Sequence, residues 1–256
     1  MAKKAPATKV VKETKGAKAI KKDKAAPAKK AEPKEAKGAS KKAAPKKEEK
    51  LPVVALKLEK SKSKSSAKQL DLCLLLDCTG SMASWIERSK DTLKEIIDTV
   101  KSNNPDLNVR VCFVGYRDIK DRERFSIKDF SDDVNDVKKF IATVSANGGG
   151  DFPEDVQGGF NKALNMKWGA DSVKQVFHIF DAPGHGKDIC DGGDDYPAGS
   201  PEGFKIQDQM KEFARMKINF TCVKVNDQCN KMIKVMTDSY TEGGMALNIT
   251  DLAKAC

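Results

Sequence analysis

Asp77-Cys78-Thr79-Gly80-Ser81-Met82 stands where an aliphatic run over 70–77 gives way to an amphipathic stretch. In extended chain every second side chain points to one side, so the oxygens of Asp77, Thr79 and Ser81 can converge. One carboxylate and two hydroxyls are hard donors. Magnesium takes about six oxygen ligands at roughly 2.1 Å and keeps several waters, so this triplet, with oxygens from two more loops, suits Mg²⁺ or Mn²⁺. Loops over 148–155 and 181–186 are predicted at the same edge. The same hydroxyls also cap helices. The carboxylates of Asp151, Glu154 and Asp155 equally suit the first turn of a helix, where its dipole favours them; for Glu154 and Asp155 that role is the expectation.

Other chemistries find less support. A Cys78 nucleophile would need a base, and the two histidines, His178 and His185, are both remote in sequence. An Asp77 nucleophile for phosphoryl transfer normally needs a second carboxylate two positions on, and Thr79 is there. The sequence has no G-x-x-x-x-G-K-[ST] phosphate loop, and Gly184-His185-Gly186 is too short a glycine pattern to mark a nucleotide site. His185 reads as a local hydrogen-bonding residue bracing the site. The expectation is a non-enzyme with no catalytic residue.

Short β-rich apolar runs alternate with stretches that are apolar at every third or fourth position, the pattern of βα repetition. Strands are predicted over 70–77, 109–116, 173–180, 219–225 and 245–249, with a polar edge strand over 125–130. Helices are predicted over 84–102 and 134–144, from Pro153 to Leu164, over 201–216 and briefly over 232–237, with a closing turn at the C-terminus. A long acidic loop fills 188–200. Such a chain builds an α/β fold: a doubly wound, mostly parallel sheet with helices on both faces and binding loops at the strands' C-terminal ends.

Asp77-x-Thr79-x-Ser81 resembles the D-x-S/T-x-S metal-ion-dependent adhesion site of von Willebrand A domains. DCTGSMASWI (77–86), FVGYRD (113–118), GGGDFPEDVQGGF (148–160), FHIFDAPGHG (177–186) and KVNDQCNKMI (224–233) resemble the von Willebrand A domain of alpha-kinase proteins. The likeness implies a metal held by Asp77, Thr79 and Ser81, with Asp181 acting through water and Asp151 standing where the family's threonine ligand is usual. Three aspartates give −3 against the ion's +2, which disfavours a partner carboxylate as the last ligand. Relatives carry an alpha-kinase domain beside this module, and no such domain is visible here. A kinase-associated role without its own kinase domain is one alternative function.

The chain's net charge of +10 is unevenly spread. Residues 1–68 hold 23 Lys, no Arg and 7 acidic residues against 24 basic and 30 acidic residues in 69–256, a balance of +16 and then −6. The division expected is a disordered Lys/Ala/Pro-rich basic tail over 1–68, with no aromatic residue to anchor a core, and one folded domain over 69–256. Lysines read phosphate rather than base sequence, so the tail suggests nonspecific contact with nucleic acid or another acidic surface. Binding of nucleic acid through it is the other alternative. The leading expectation is a metal-holding module for an unidentified protein partner. No apolar run reaches the roughly 20 residues of a transmembrane segment, and seven cysteines without a CxxC pair read as reduced packing residues. A cytoplasmic location follows, or a nuclear one given the lysines.

Overall fold

The computed structural model describes residues 68–252, so the predicted tail, apart from Lys68, and the closing helical turn lie outside the described residues. Six strands form one sheet in the order β3-β2-β1-β4-β5-β6. They are β1 (Gln69–Asp77), β2 (Asn108–Tyr116), β3 (Phe125–Ser131), β4 (Val173–Phe180), β5 (Ile218–Lys224) and β6 (Asn248–Asp251). All neighbours pair parallel except β2 and β3.

Strand β1 shows why the sheet is covered on both faces. Leu70, Leu72, Leu74 and Leu76 join one buried cluster, with α1 (Ile86–Asn103) and α2 (Val134–Thr143), while Cys73 and Leu75 join the other. That second cluster is packed by α3 (Val156–Leu164), α4 (Ile206–Arg215) and α5 (Asn230–Glu242). Burying a strand on both faces removes the need for polar alternation, and β1 has almost none.

The chain leaves β1 toward β2 on one side and returns as β4 on the other. A crevice therefore opens at the C-terminal ends of β1 and β4, the topological switch point of such sheets. Asp77 ends β1 and Asp181 follows β4 at this crevice.

Several boundaries differ from the sequence expectation. The residues after Asp77 first form a 3₁₀ turn, Gly80–Ser84, anchored by buried Met82. Helix α3 starts at Val156 rather than Pro153, because Asp155 caps it by accepting the Gly158 N–H while Glu154 bridges to Gly184. Helix α4 starts only at Ile206, after Gly203 with φ +79°. Helix α5 runs to Glu242, well past 237, because Met232, Met236 and Tyr240 recur every fourth residue and are all buried. The last strand accordingly shifts to Asn248–Asp251.

Candidate metal centre

The loop after β1 is pinned by backbone hydrogen bonds from Cys78 N–H to Tyr116 O, from Gly80 N–H to Gly148 O and from Asn147 N–H to Cys78 O. The Glu154 N–H donates to Pro183 O, and the Asn226 amide donates to Asp181 O. Four loops thus close around one cavity of about 130 Å³ lined by Ser81, Asp151, Phe152, Glu154, Asp181 and Gln228, among others. With a water taking about 30 Å³ of liquid, that is room for an ion and a few waters.

Asp77, Thr79 and Ser81 act as a chain of oxygens. Thr79 donates through its N–H (3.0 Å) and its hydroxyl (2.7 Å) to Asp77 Oδ1. The Thr79 and Ser81 hydroxyl oxygens are 3.2 Å apart, and Ser81 donates to Asp181 Oδ1 at 2.9 Å. Neither hydroxyl is spent on capping: the 3₁₀ turn has no side-chain cap bond. Asp77 and Thr79 are fully buried and Ser81 is exposed, so the chain of oxygens opens outward.

Glu154 joins them. It is 3% exposed, its carboxyl lies beside Thr79, and its Oε2 is buried without a partner, as is Asp77 Oδ2. Gly149 makes this approach feasible: a Cβ there would stand 2.9 Å from Glu154 Oε1, on a backbone with φ +81° that suits glycine. Burial, then the charge of Asp181, pushes Asp77 up to about 7. Burial, then the charges of Asp77 and Asp118, pushes Glu154 to about 10. Burial also raises Asp181. Among the described residues none of the three has a basic side chain as partner. Buried carboxyls of this kind stay neutral or take up a cation, and two buried oxygens without partners beside hydroxyls fit a hard divalent ion.

Asp151 lies at the same cavity but is turned partly elsewhere. Its Oδ2 accepts the Asp195 N–H at 2.6 Å, its Oδ1 is buried without a partner, and its carboxylate groups with Asp118 and His185. His185 is held between Asp118 Oδ1 (2.8 Å, to Nε2) and Asp194 Oδ1 (2.9 Å, to Nδ1). Burial opposes its charging, yet these two carboxylates raise its pKa above the ordinary value.

Comparison with known proteins assigns the geometry to a family. Residues 71–192 match the von Willebrand factor A domain family. These residues are a von Willebrand factor A domain. The chain is 34% identical over 158 residues, 61% of its length, to the alpha-protein kinase vwkA of Dictyostelium discoideum, of which the match covers 25%. It is 30% identical over 121 residues, 46% of its length, to an ariadne-like RING finger protein of Acanthamoeba polyphaga mimivirus, of which the match covers 11%. The chain thus spans a quarter or less of these relatives' lengths. The pilus adhesin SpaC of Lactobacillus rhamnosus GG, in its open conformation, shares the fold with a TM-score of 0.51 at 12% identity, over 74% of this chain and 29% of the adhesin. The A domain suggests a protein-interaction module, and the match to the kinase, over a quarter of that protein, does not extend to showing a kinase domain.

Of the residues picked from sequence, the A domain brings Asp77, Thr79, Ser81 and Asp181 into one hydrogen-bonded chain and sets Asp151 at the cavity's side. Glu154 was read as a first-turn residue and is instead a buried member of the group, ahead of the helix cap. Asp155 keeps the local role, capping α3 and pairing with Arg124 at 2.5 Å. The signal for Glu154 was its place beside the glycine run 148–150, which lets a neighbouring loop come close. Cys78 is buried and its thiol is pushed well up by burial, which leaves it no thiolate for catalysis. Among the described residues no helix is long and apolar enough to cross a membrane.

Proposed function

We propose that this chain is a non-enzymatic protein-interaction module that holds Mg²⁺ or Mn²⁺ at the β1/β4 crevice and presents it to a protein partner. Asp77, Thr79, Ser81 and Asp181 hold the ion together with Glu154, and Asp151 lies beside it. The observation that carries this reading is the pair of buried, partnerless oxygens, Asp77 Oδ2 and Glu154 Oε2, with Asp77 joined through the Thr79 and Ser81 hydroxyls to a cavity that Glu154 lines and exposed Ser81 leaves open. When bound, the ion would supply a Lewis-acidic contact point; the chain's own residues fix where it faces. With Glu154 counted, three carboxyls line the cavity and Asp77 is buried close behind them, so a partner oxygen from a hydroxyl or a carbonyl suits the ion better than a further carboxylate.

The charge balance of +16 over residues 1–68 supports a second contact, between the lysines and a polyanion or acidic surface. The 34% identity to part of an alpha-protein kinase favours partners in kinase signalling over adhesion at a cell surface. The proposed setting is the cytosol or nucleus, where the six described cysteines, all free and buried, stay reduced. The test is capture of partners from an extract by the full chain, with Mg²⁺, with a chelator, and with Asp77→Ala. The expected result is a set of proteins retained with Mg²⁺ and lost in both other arms. An identical set in all three arms would contradict a role for the metal.

A further inference from the structure

Asp118, Asp151 and His185 offer one ligand atom each within 4.8 Å of one another, and they come from three loops of the same edge. An imidazolium clamped between two carboxylates would explain His185, Asp118 and Asp194. It leaves two facts unexplained. Asp151, whose carboxylate belongs to this group, has its Oδ1 buried and without a partner, and three carboxylates stand around a single imidazolium charge, Lys120 nearby being bonded to Asp195 at 2.6 Å. The arrangement around the ring has the form used to aim a histidine at a metal. One nitrogen, Nδ1, is held by an outer carboxylate, Asp194, which also accepts the Gly186 and Tyr196 N–H groups, while Nε2 meets Asp118 and the Asp151 carboxylate lies in the same group.

We propose that Asp118, Asp151 and His185 form a second cation site of the zinc class, adjoining the Asp77 site, whose cavity Asp151 also lines. Zinc binds imidazole nitrogen at about 2.0–2.1 Å and carboxylate oxygen at about 2.0–2.2 Å, and three protein ligands leave a fourth position for water. In tetrahedral geometry those atoms stand about 3.4 Å apart, so Nε2 and Asp118 Oδ1 must part slightly from 2.8 Å. On binding, Nε2 gives up its proton and coordinates through its lone pair, and Nδ1–H donates to Asp194. The nitrogen ligand distinguishes this site from the all-oxygen crevice next to it. The inference shares with the magnesium reading only the placement of Asp151, and each stands if the other fails.

The test uses the full chain, stripped by chelator and saturated with Mg²⁺, then titrated with Zn²⁺ and, for an optical signal, Co²⁺. The chain has two histidines, of which His178 is fully buried in the core, so the imidazole resonances report on His185 without ambiguity. The expected result is one zinc per chain, a shift of the His185 ring nitrogens, and a cobalt spectrum without a thiolate band. Asp151→Asn, at a partly exposed position whose Asp195 contact an amide oxygen can keep, should weaken zinc binding at least a hundredfold. His185→Gln should abolish it. Asp194→Asn should cost roughly ten- to a hundredfold, the usual cost of losing such an outer partner. Asp77→Ala should leave zinc binding intact. Should His185→Gln fail to fold, Asp151→Asn and the ring shift decide. No zinc uptake at tens of micromolar, uptake indifferent to Asp151→Asn with no ring shift, or loss of zinc in Asp77→Ala would each overturn the proposal.

Discussion

Burial makes Asp77 and Glu154 reluctant to ionise, and a divalent ion would reverse that preference. In the metal-free protein Glu154, raised to about 10, holds its proton at neutral pH. The neutral isostere in Glu154→Gln should therefore leave metal-free stability within about 0.5 kcal/mol of wild type, yet weaken Mg²⁺ binding tenfold or more; urea denaturation and calorimetry read the two effects. The sign of the pH dependence follows from the same shifts. Folded Asp77 keeps a proton that the unfolded chain has already lost, so metal-free stability falls as pH rises from the ordinary carboxyl value of 3.8 through about 7. Glu154 extends the fall toward about 10. Saturating Mg²⁺ should flatten that slope, and denaturation curves across this range check it. Asp77, Thr79 and Ser81 were legible in the sequence because alternation at a strand end is a local rule. Glu154 was not, because its position depends on a bridge to Gly184, in a loop far along the chain.

The elements were legible wherever burial has a short period. Strand β1 apolar on both faces, and α1 with Leu93, Ile96, Ile97 and Val100 buried, follow from patterns within a few residues. Boundaries set by caps and distant contacts did not. The start of α3 depends on Asp155 serving as its cap, and the length of α5 is fixed by Tyr240, whose hydroxyl reaches Ile218 O at 2.6 Å. At the opposite edge from the metal centre, Asp71 is a buried carboxylate that accepts two hydrogen bonds from Arg110, the Gly169 N–H and the Ser172 hydroxyl. It ties β1, β2 and the loop before β4 together, and these donors hold its pKa down against burial. Asp71→Ala would strand these donors and cost about 2–3 kcal/mol, seen as a lower urea midpoint with an unchanged slope. Metal affinity should not follow, because the crevice lies at the far ends of the strands.

At the scale of the whole molecule, opposite charges fall on separate segments, −6 over residues 69–256 and +16 before them. Deleting residues 1–60 should therefore weaken binding to RNA or DNA strongly and leave Mg²⁺ binding unchanged. For the intact chain the log–log salt slope should be about −0.7 to −0.9 per lysine–phosphate contact; equal binding by the shortened chain would move the basic surface onto the folded domain. The fold puts both the crevice and the neighbouring histidine cluster on one edge, the one where a doubly wound sheet gathers its loops. On the proposed function, this edge holds a divalent ion through buried carboxyls that favour their protonated form until it arrives. Titration calorimetry of the full chain with Mg²⁺, repeated in buffers of different ionisation enthalpy, measures the ion and the displaced protons together. The predicted result is one magnesium bound with net proton release, affinity that falls as pH drops through about 7, the value to which Asp77 is raised, and no binding in Asp77→Ala. Binding without proton release that persists in Asp77→Ala, or no binding at millimolar Mg²⁺, would contradict it.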